Sequence, residues 1–127
     1  MDLKALQNWF QEAKGLGVMS TADRQGRPNA ALFARPHFLE NGLLGFVMLS
    51  RKTLANLQDN PHACFLYAKE GPGYEGVRLY LKRVETIEDE AAIETMIDRR
   101  FELKKPRVLM LFALEKALKL TNAEELA

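Results

Sequence analysis

Apolar residues at Leu3, Leu6, Trp9, Phe10 and Ala13 recur at helical spacing. Asp2 suits the N-cap before them, and Gly15 and Gly17 suit a stop after them, so the opening segment predicts an amphipathic helix. The period then changes. "GVMSTA" reads as a strand, "DRQGRP" as a turn carrying Gly26 and Pro28, and "NAALFARPHFL" as a second strand, which together predict a hairpin. Asn41 and Gly42 form the strongest short turn signal in the chain and lead into the continuous apolar run "LLGFVML", a third strand.

After "SRKT", Leu54 and Leu57 return at helical spacing until "DNP", where Pro61 disfavours helix for Asn60. "HACFLYA" predicts strand four. "KEGPGYEG", residues 69–76, holds three glycines and a proline and reads as a loop whose backbone approaches its surroundings closely. In "VRLYLKRVETI", Val77, Leu79 and Leu81 alternate with Arg78, Tyr80 and Lys82, the pattern of a half-buried strand five. "EDEAAIETMIDRRF" places Ile93, Met96, Ile97 and Phe101 on one helical side, with acids first and Arg99 and Arg100 last, as the helix dipole prefers. "RVLMLFALEKALKL" fits both periods, because Val108, Met110, Phe112 and Leu114 alternate while Leu, Ala, Glu and Lys favour helix. The final "TNAEELA" reads as loosely held. Five or six short strands with few helices predict a mainly β fold, a small barrel with peripheral helices.

A chain of 127 residues with 47% hydrophobic and 28% charged residues has the size and composition of one soluble globular domain. A net charge of +1 gives no general attraction for nucleic acid or anionic membrane, so an anion site has to be local. The single cysteine, Cys64, excludes an internal disulfide framework and fits a reducing compartment. With no membrane-length apolar run and no basic-then-apolar leader at the start, a cytoplasmic protein is the expectation.

The local anion site is "SRKT". Between a strand and a helix start, Ser50 and Thr53 offer hydroxyls, Arg51 a planar fork, Lys52 a mobile charge, and the helix its unpaired amides. Those are the parts of a phosphate site. The structural alternative has Ser50 or Thr53 capping the helix while the two cations stay solvated. Other constellations are thinner. His62 and Cys64 share a strand face, but with His37 the one further histidine they are too few for a metal centre. Cys64 in an apolar run lacks the setting that stabilises a thiolate. Phe33, Tyr67, Tyr74 and Tyr80 fit core or interface as well as ring stacking. The glycine loop has neither a phosphate-loop nor a dinucleotide fingerprint. Arg78, Tyr80 and Lys82 on one strand would suit single-stranded nucleic acid, a reading that the near-neutral charge opposes.

In "GVMSTADRQGRPNAA", "SRKTLANLQDNPHACFLY" and "YEGVRLYLKRVE" the chain resembles the FMN-binding split barrels of the pyridoxamine 5'-phosphate oxidase superfamily, from about Gly17 through Leu120. The resemblance implies a six-stranded split β-barrel over one domain, residues 1–127, with residues 108–118 as a closing strand. It implies FMN as cofactor, with Arg51 and Lys52 on its phosphate, Ser50 and Thr53 nearby, and Val47 and Met48 along it. The basic residue that ends the family's second strand falls on Arg35 or His37. Gly76 and Val77 fall where the family often places glutamine and valine reaching the flavin across a dimer interface, although Gly76 has no side chain to donate. True pyridoxamine phosphate oxidases carry a C-terminal segment of arginine and histidine that grips the substrate; no such motif precedes Ala127, so vitamin B6 oxidation is not expected. The implied protein is a homodimeric FMN-binding flavoprotein, an oxidoreductase of unspecified substrate and unassigned catalytic residues. A non-catalytic flavin or haem module is the alternative.

Overall fold

A computed structural model describes residues 2–97, 106–122 and 124–126. Helix α1 (Leu3–Glu12) starts as its sequence requires, with the Asp2 carboxylate accepting from the Ala5 amide at 2.8 Å. It ends before Ala13, so Gly15 and Gly17, expected as stops, lie within β1 (Gly15–Ala22). A Cβ at Gly17 would sit 2.4 Å from the Phe33 carbonyl oxygen and against the Phe65 ring, so close packing demands glycine there.

The remaining elements are β2 (Pro28–Leu32), β3 (His37–Phe38), β4 (Leu44–Met48), α2 (Lys52–Asp59), β5 (His62–Lys69), β6 (Gly76–Ile87), α3 (Glu90–Met96) and β7 (Val108–Lys119). The strands form one antiparallel sheet in the order β2-β1-β5-β6-β7-β4-β3, seven among the described residues where six were expected. The extra one arises because the expected second strand, "NAALFARPHFL", is two. Pro36 has no amide to donate, and the segment 33–36 leaves the ladder as it crosses from one sheet edge to the other. This crossing dictates the shape. The edge strands β2 and β3 are joined by four residues, which span at most about 18 Å, so a seven-stranded sheet reaches both ends of that bridge only by curling into a barrel. The amide of Phe33 donates to the Gly17 carbonyl at 3.0 Å, and its ring meets Phe46 across the interior at 6.4 Å.

Inward residues of every long strand fill the barrel: Met19, Phe46, Met48, Phe65, Leu79, Leu81, Met110 and Phe112, capped by Leu6 and Phe10 of α1 and by Leu54 and Leu57 of α2. A second, smaller core lies outside β4 and β7, where Val47, Leu109 and Leu111 are covered by Ile93 and Ile97. That explains the unbroken apolar run of β4: both of its faces are buried. It also explains β7, whose helix-favouring residues form strand because they pair with β4 on one side and β6 on the other. Arg107, 7% exposed, binds the Glu90 carboxylate through Nε at 3.0 Å and so ties the start of α3 to the start of β7. Arg99, Arg100 and Phe101, read as the end of this helix, lie outside the described residues. The tail is more engaged than its composition suggests, since the Leu126 amide donates to the Ala117 carbonyl at 2.7 Å and Leu118 bridges Glu125.

Candidate functional site

At the handover from β4 to α2, the chain turns out of the double-sided core into solvent within two residues, and Ser50, Arg51 and Lys52 are all exposed. Arg51 occupies the N-cap in extended conformation and makes no side-chain capping bond; the first helical bond runs from the Ala55 amide to the Arg51 carbonyl at 3.1 Å. Among the described residues, Ser50 and Thr53 do not take the simple capping role open to them, and no side-chain oxygen caps the amino end of α2. That end keeps its positive dipole, with two cations beside it. This donor set suits an oxyanion of two or more charges. Thr53 is 5% exposed and packs inward, so Ser50 is the more accessible hydroxyl.

Val47 and Met48 precede this corner on opposite faces of β4. Met48 enters the barrel core, and Val47 packs under α3. His37 stands opposite Gly45 in the β3–β4 ladder, half-buried, two register positions from Val47. Arg35 goes elsewhere: Nη1 donates to the carbonyls of Phe10 at 2.6 Å and Ala13 at 3.4 Å, so the guanidinium closes the carboxyl end of α1. It lines an open cleft of about 560 Å³ together with Lys14, Leu16, Tyr67 and Glu70. Gly76 stands at the same end of the sheet, opposite Ala68. A Cβ there would meet the Tyr67 carbonyl oxygen at 2.2 Å, a backbone reason for glycine independent of any ligand. The expected site residues thus divide between the β4–α2 corner, the start of β4, where His37 stands opposite Gly45, and the α1 end of the barrel, where Arg35 and Gly76 lie.

A second open cleft, about 340 Å³, is lined by Ser20, Asn60, His62, Cys64 and Tyr80 on the outer sheet face. Among the described residues no group of three or more metal-ligating side chains occurs. Burial pushes the Cys64 thiol above its ordinary range, with Arg78 opposing, which disfavours the thiolate. Arg78 donates Nε to the Lys119 carbonyl at 2.9 Å, so the first cation of the alternating Arg78, Tyr80, Lys82 row is engaged in holding the end of β7. Among the described residues no buried side-chain nitrogen or oxygen lacks a hydrogen-bond partner, so the candidate donors for a ligand are those at the surface.

Three residues that support the corner carry no signal in sequence. Asn56 of α2 is 1% exposed and donates Nδ2 to Oγ1 of Thr21 on β1 at 3.1 Å. Arg83 of β6 donates Nε to the Leu57 carbonyl at 3.0 Å, a cation at the negative end of the same helix.

A family profile described as pyridoxamine 5'-phosphate oxidase matches residues 3–120. No curated protein matches the sequence. Among solved structures, the chain is similar to HupZ of Group A Streptococcus, with TM-score 0.78, 15% identity and all of both chains covered. It is similar to an FMN-binding protein of Syntrophomonas wolfei subsp. wolfei, with TM-score 0.74, 18% identity, and 94% of this chain and 86% of that one covered. An F420 reductase aligns with TM-score 0.60 and 20% identity, covering 84% of this chain and 90% of that one. At these identities the likeness is one of fold.

Proposed function

Since the chain belongs to the pyridoxamine 5'-phosphate oxidase family, whose profile spans residues 3–120, we propose that it is an FMN-binding flavoprotein serving an oxidoreductase reaction. The observation that carries this reading is the uncapped amino end of α2 flanked by the exposed side chains of Ser50, Arg51 and Lys52. Its amides and dipole favour a dianion, Arg51 supplies a two-pronged donor, and Lys52 adds a point charge. When bound, the flavin supplies hydride or electron transfer; the protein supplies binding, orientation and electrostatics. His37, half-buried and opposite Gly45 of β4, is assigned to the ring side of the site. Two copies pair as a homodimer, a reading supported by Leu16 and Leu32, 58% and 67% exposed on one outer face of the sheet.

Titration with FMN, followed by the shift of the flavin absorption bands, tests the proposal. Each charge-assisted bond to the phosphate contributes about 1.5–3 kcal/mol, so Arg51→Ala with Lys52→Ala is expected to weaken FMN binding by about a hundredfold or more while leaving the barrel folded. A wild-type protein that leaves the FMN spectrum unchanged sinks the reading. The likeness to an F420 reductase supports a second one, in which the same corner holds F420. Tighter binding of F420 than of FMN in parallel titrations favours it.

A further inference from the structure

Among the described residues, every side-chain polar tie that holds α2 lies beyond its first turn. The buried Asn56–Thr21 bond fastens its middle to β1, Arg83 fastens its carboxyl end to β6, and Arg24 pairs with Asp59 at the rim at 3.3 Å. The amide of Arg83 also donates to the Pro61 carbonyl at 2.7 Å, which holds the segment leaving the helix. Leu54 and Leu57 bury the apolar side of α2, yet hydrophobic contact is non-directional and tolerates rotation and sliding about the helix axis. A buried amide–hydroxyl pair is a weak source of stability, because both groups lose water to form one neutral bond, but its geometry is specific. From this arrangement we infer that Thr21, Asn56 and Arg83 are positioning residues that aim the first-turn amides of α2, with Arg51 and Lys52, at a phosphate, and thereby set a preference for phosphorylated over unphosphorylated flavin. A binding constellation has to be held within about 0.5 Å to act as a unit, and these ties hold the helix without occupying its amino end.

The inference rests on the phosphate reading above, and its test separates the two. FMN and riboflavin are titrated into wild type, Thr21→Val/Asn56→Leu, Arg83→Met and Arg51→Ala/Lys52→Ala, with quenching of flavin fluorescence as the signal. Thr21→Val/Asn56→Leu replaces both partners of the bond by apolar side chains of similar shape, so it removes direction without leaving a buried polar orphan. The expected result is wild-type affinity for riboflavin and about a tenfold loss for FMN in this variant and in Arg83→Met. An unchanged FMN-to-riboflavin ratio in both, or an equal loss for both flavins, overturns the positioning role. If the ratio collapses in Arg51→Ala/Lys52→Ala alone, only the positioning role falls. Wild type that binds riboflavin as tightly as FMN overturns the phosphate reading and this inference together. Should Thr21→Val/Asn56→Leu fail to fold, Arg83→Met, at a half-buried position, decides the outcome.

Discussion

At the scale of single residues, the β1–β2 turn shows how one carboxylate organises a loop. Asp23, 5% exposed, accepts from the Arg27 amide at 2.9 Å, from Arg27 Nε at 2.7 Å and from the Gln25 amide at 2.9 Å. The Arg27 amide foremost, then its guanidinium, hold the Asp23 carboxyl below its ordinary value, with burial opposing them. A carboxyl whose folded pKa is depressed contributes stability above its unfolded value, about 3.9, and loses it as the pH falls through the folded value. The melting-temperature gap between wild type and Asp23→Asn is therefore expected to be widest near neutral pH and to shrink toward zero in acid. A gap that stays constant down to pH 2 contradicts the assignment. Gly26, at φ 83°, was legible as a turn residue from "DRQGRP", whereas the inward-facing aspartate was not, because nothing in the letters says which side of the turn meets the barrel.

At the scale of elements, α1 and α2 each have a basic side chain at the carboxyl end, supplied by a distant part of the chain. Arg35 serves α1 and Arg83 serves α2. Arg35→Ala is expected to lower the unfolding free energy by about 1.5–3 kcal/mol, read by urea denaturation, since it removes charge-assisted bonds to the Phe10 and Ala13 carbonyls. A midpoint equal to wild type would show that α1 is held by Leu6 and Phe10 alone. Sequence periodicity located α1, α2, β5, β6 and the start of α3, because each buries one face and exposes the other. It misplaced the second strand. The letters of "NAALFARPHFL" suit β apart from Pro36, and the demand that the chain cross between sheet edges, with Pro36 unable to donate an amide, breaks the run at residues 33–36.

At the scale of the whole molecule, the barrel leaves an apolar row on its outer face. Val18 lies opposite both Leu32 and Leu66, with Leu16 two positions along the same face of β1. Large exposed apolar side chains gathered on one face mark a contact surface. Light scattering of the wild-type protein is expected to give about twice the chain mass of 14.4 kDa, and Leu16→Lys/Leu32→Lys is expected to return it toward that single mass. A wild-type mass of one chain counts against the homodimer. The sequence by itself determined the alternation of burial, the turns at Gly26 and Gly42, and the cluster of hydroxyl and basic residues at 50–53, because period, glycine and charge act over a few neighbouring residues. Tertiary structure alone decided that α3 covers the outer face of β4, that Asn56 of α2 bonds Thr21 of β1, and that Arg35 serves a helix end while Arg51 stays exposed. Those outcomes turn on partners far apart in the chain, and no local preference encodes which distant group arrives to satisfy a carbonyl or cover a face.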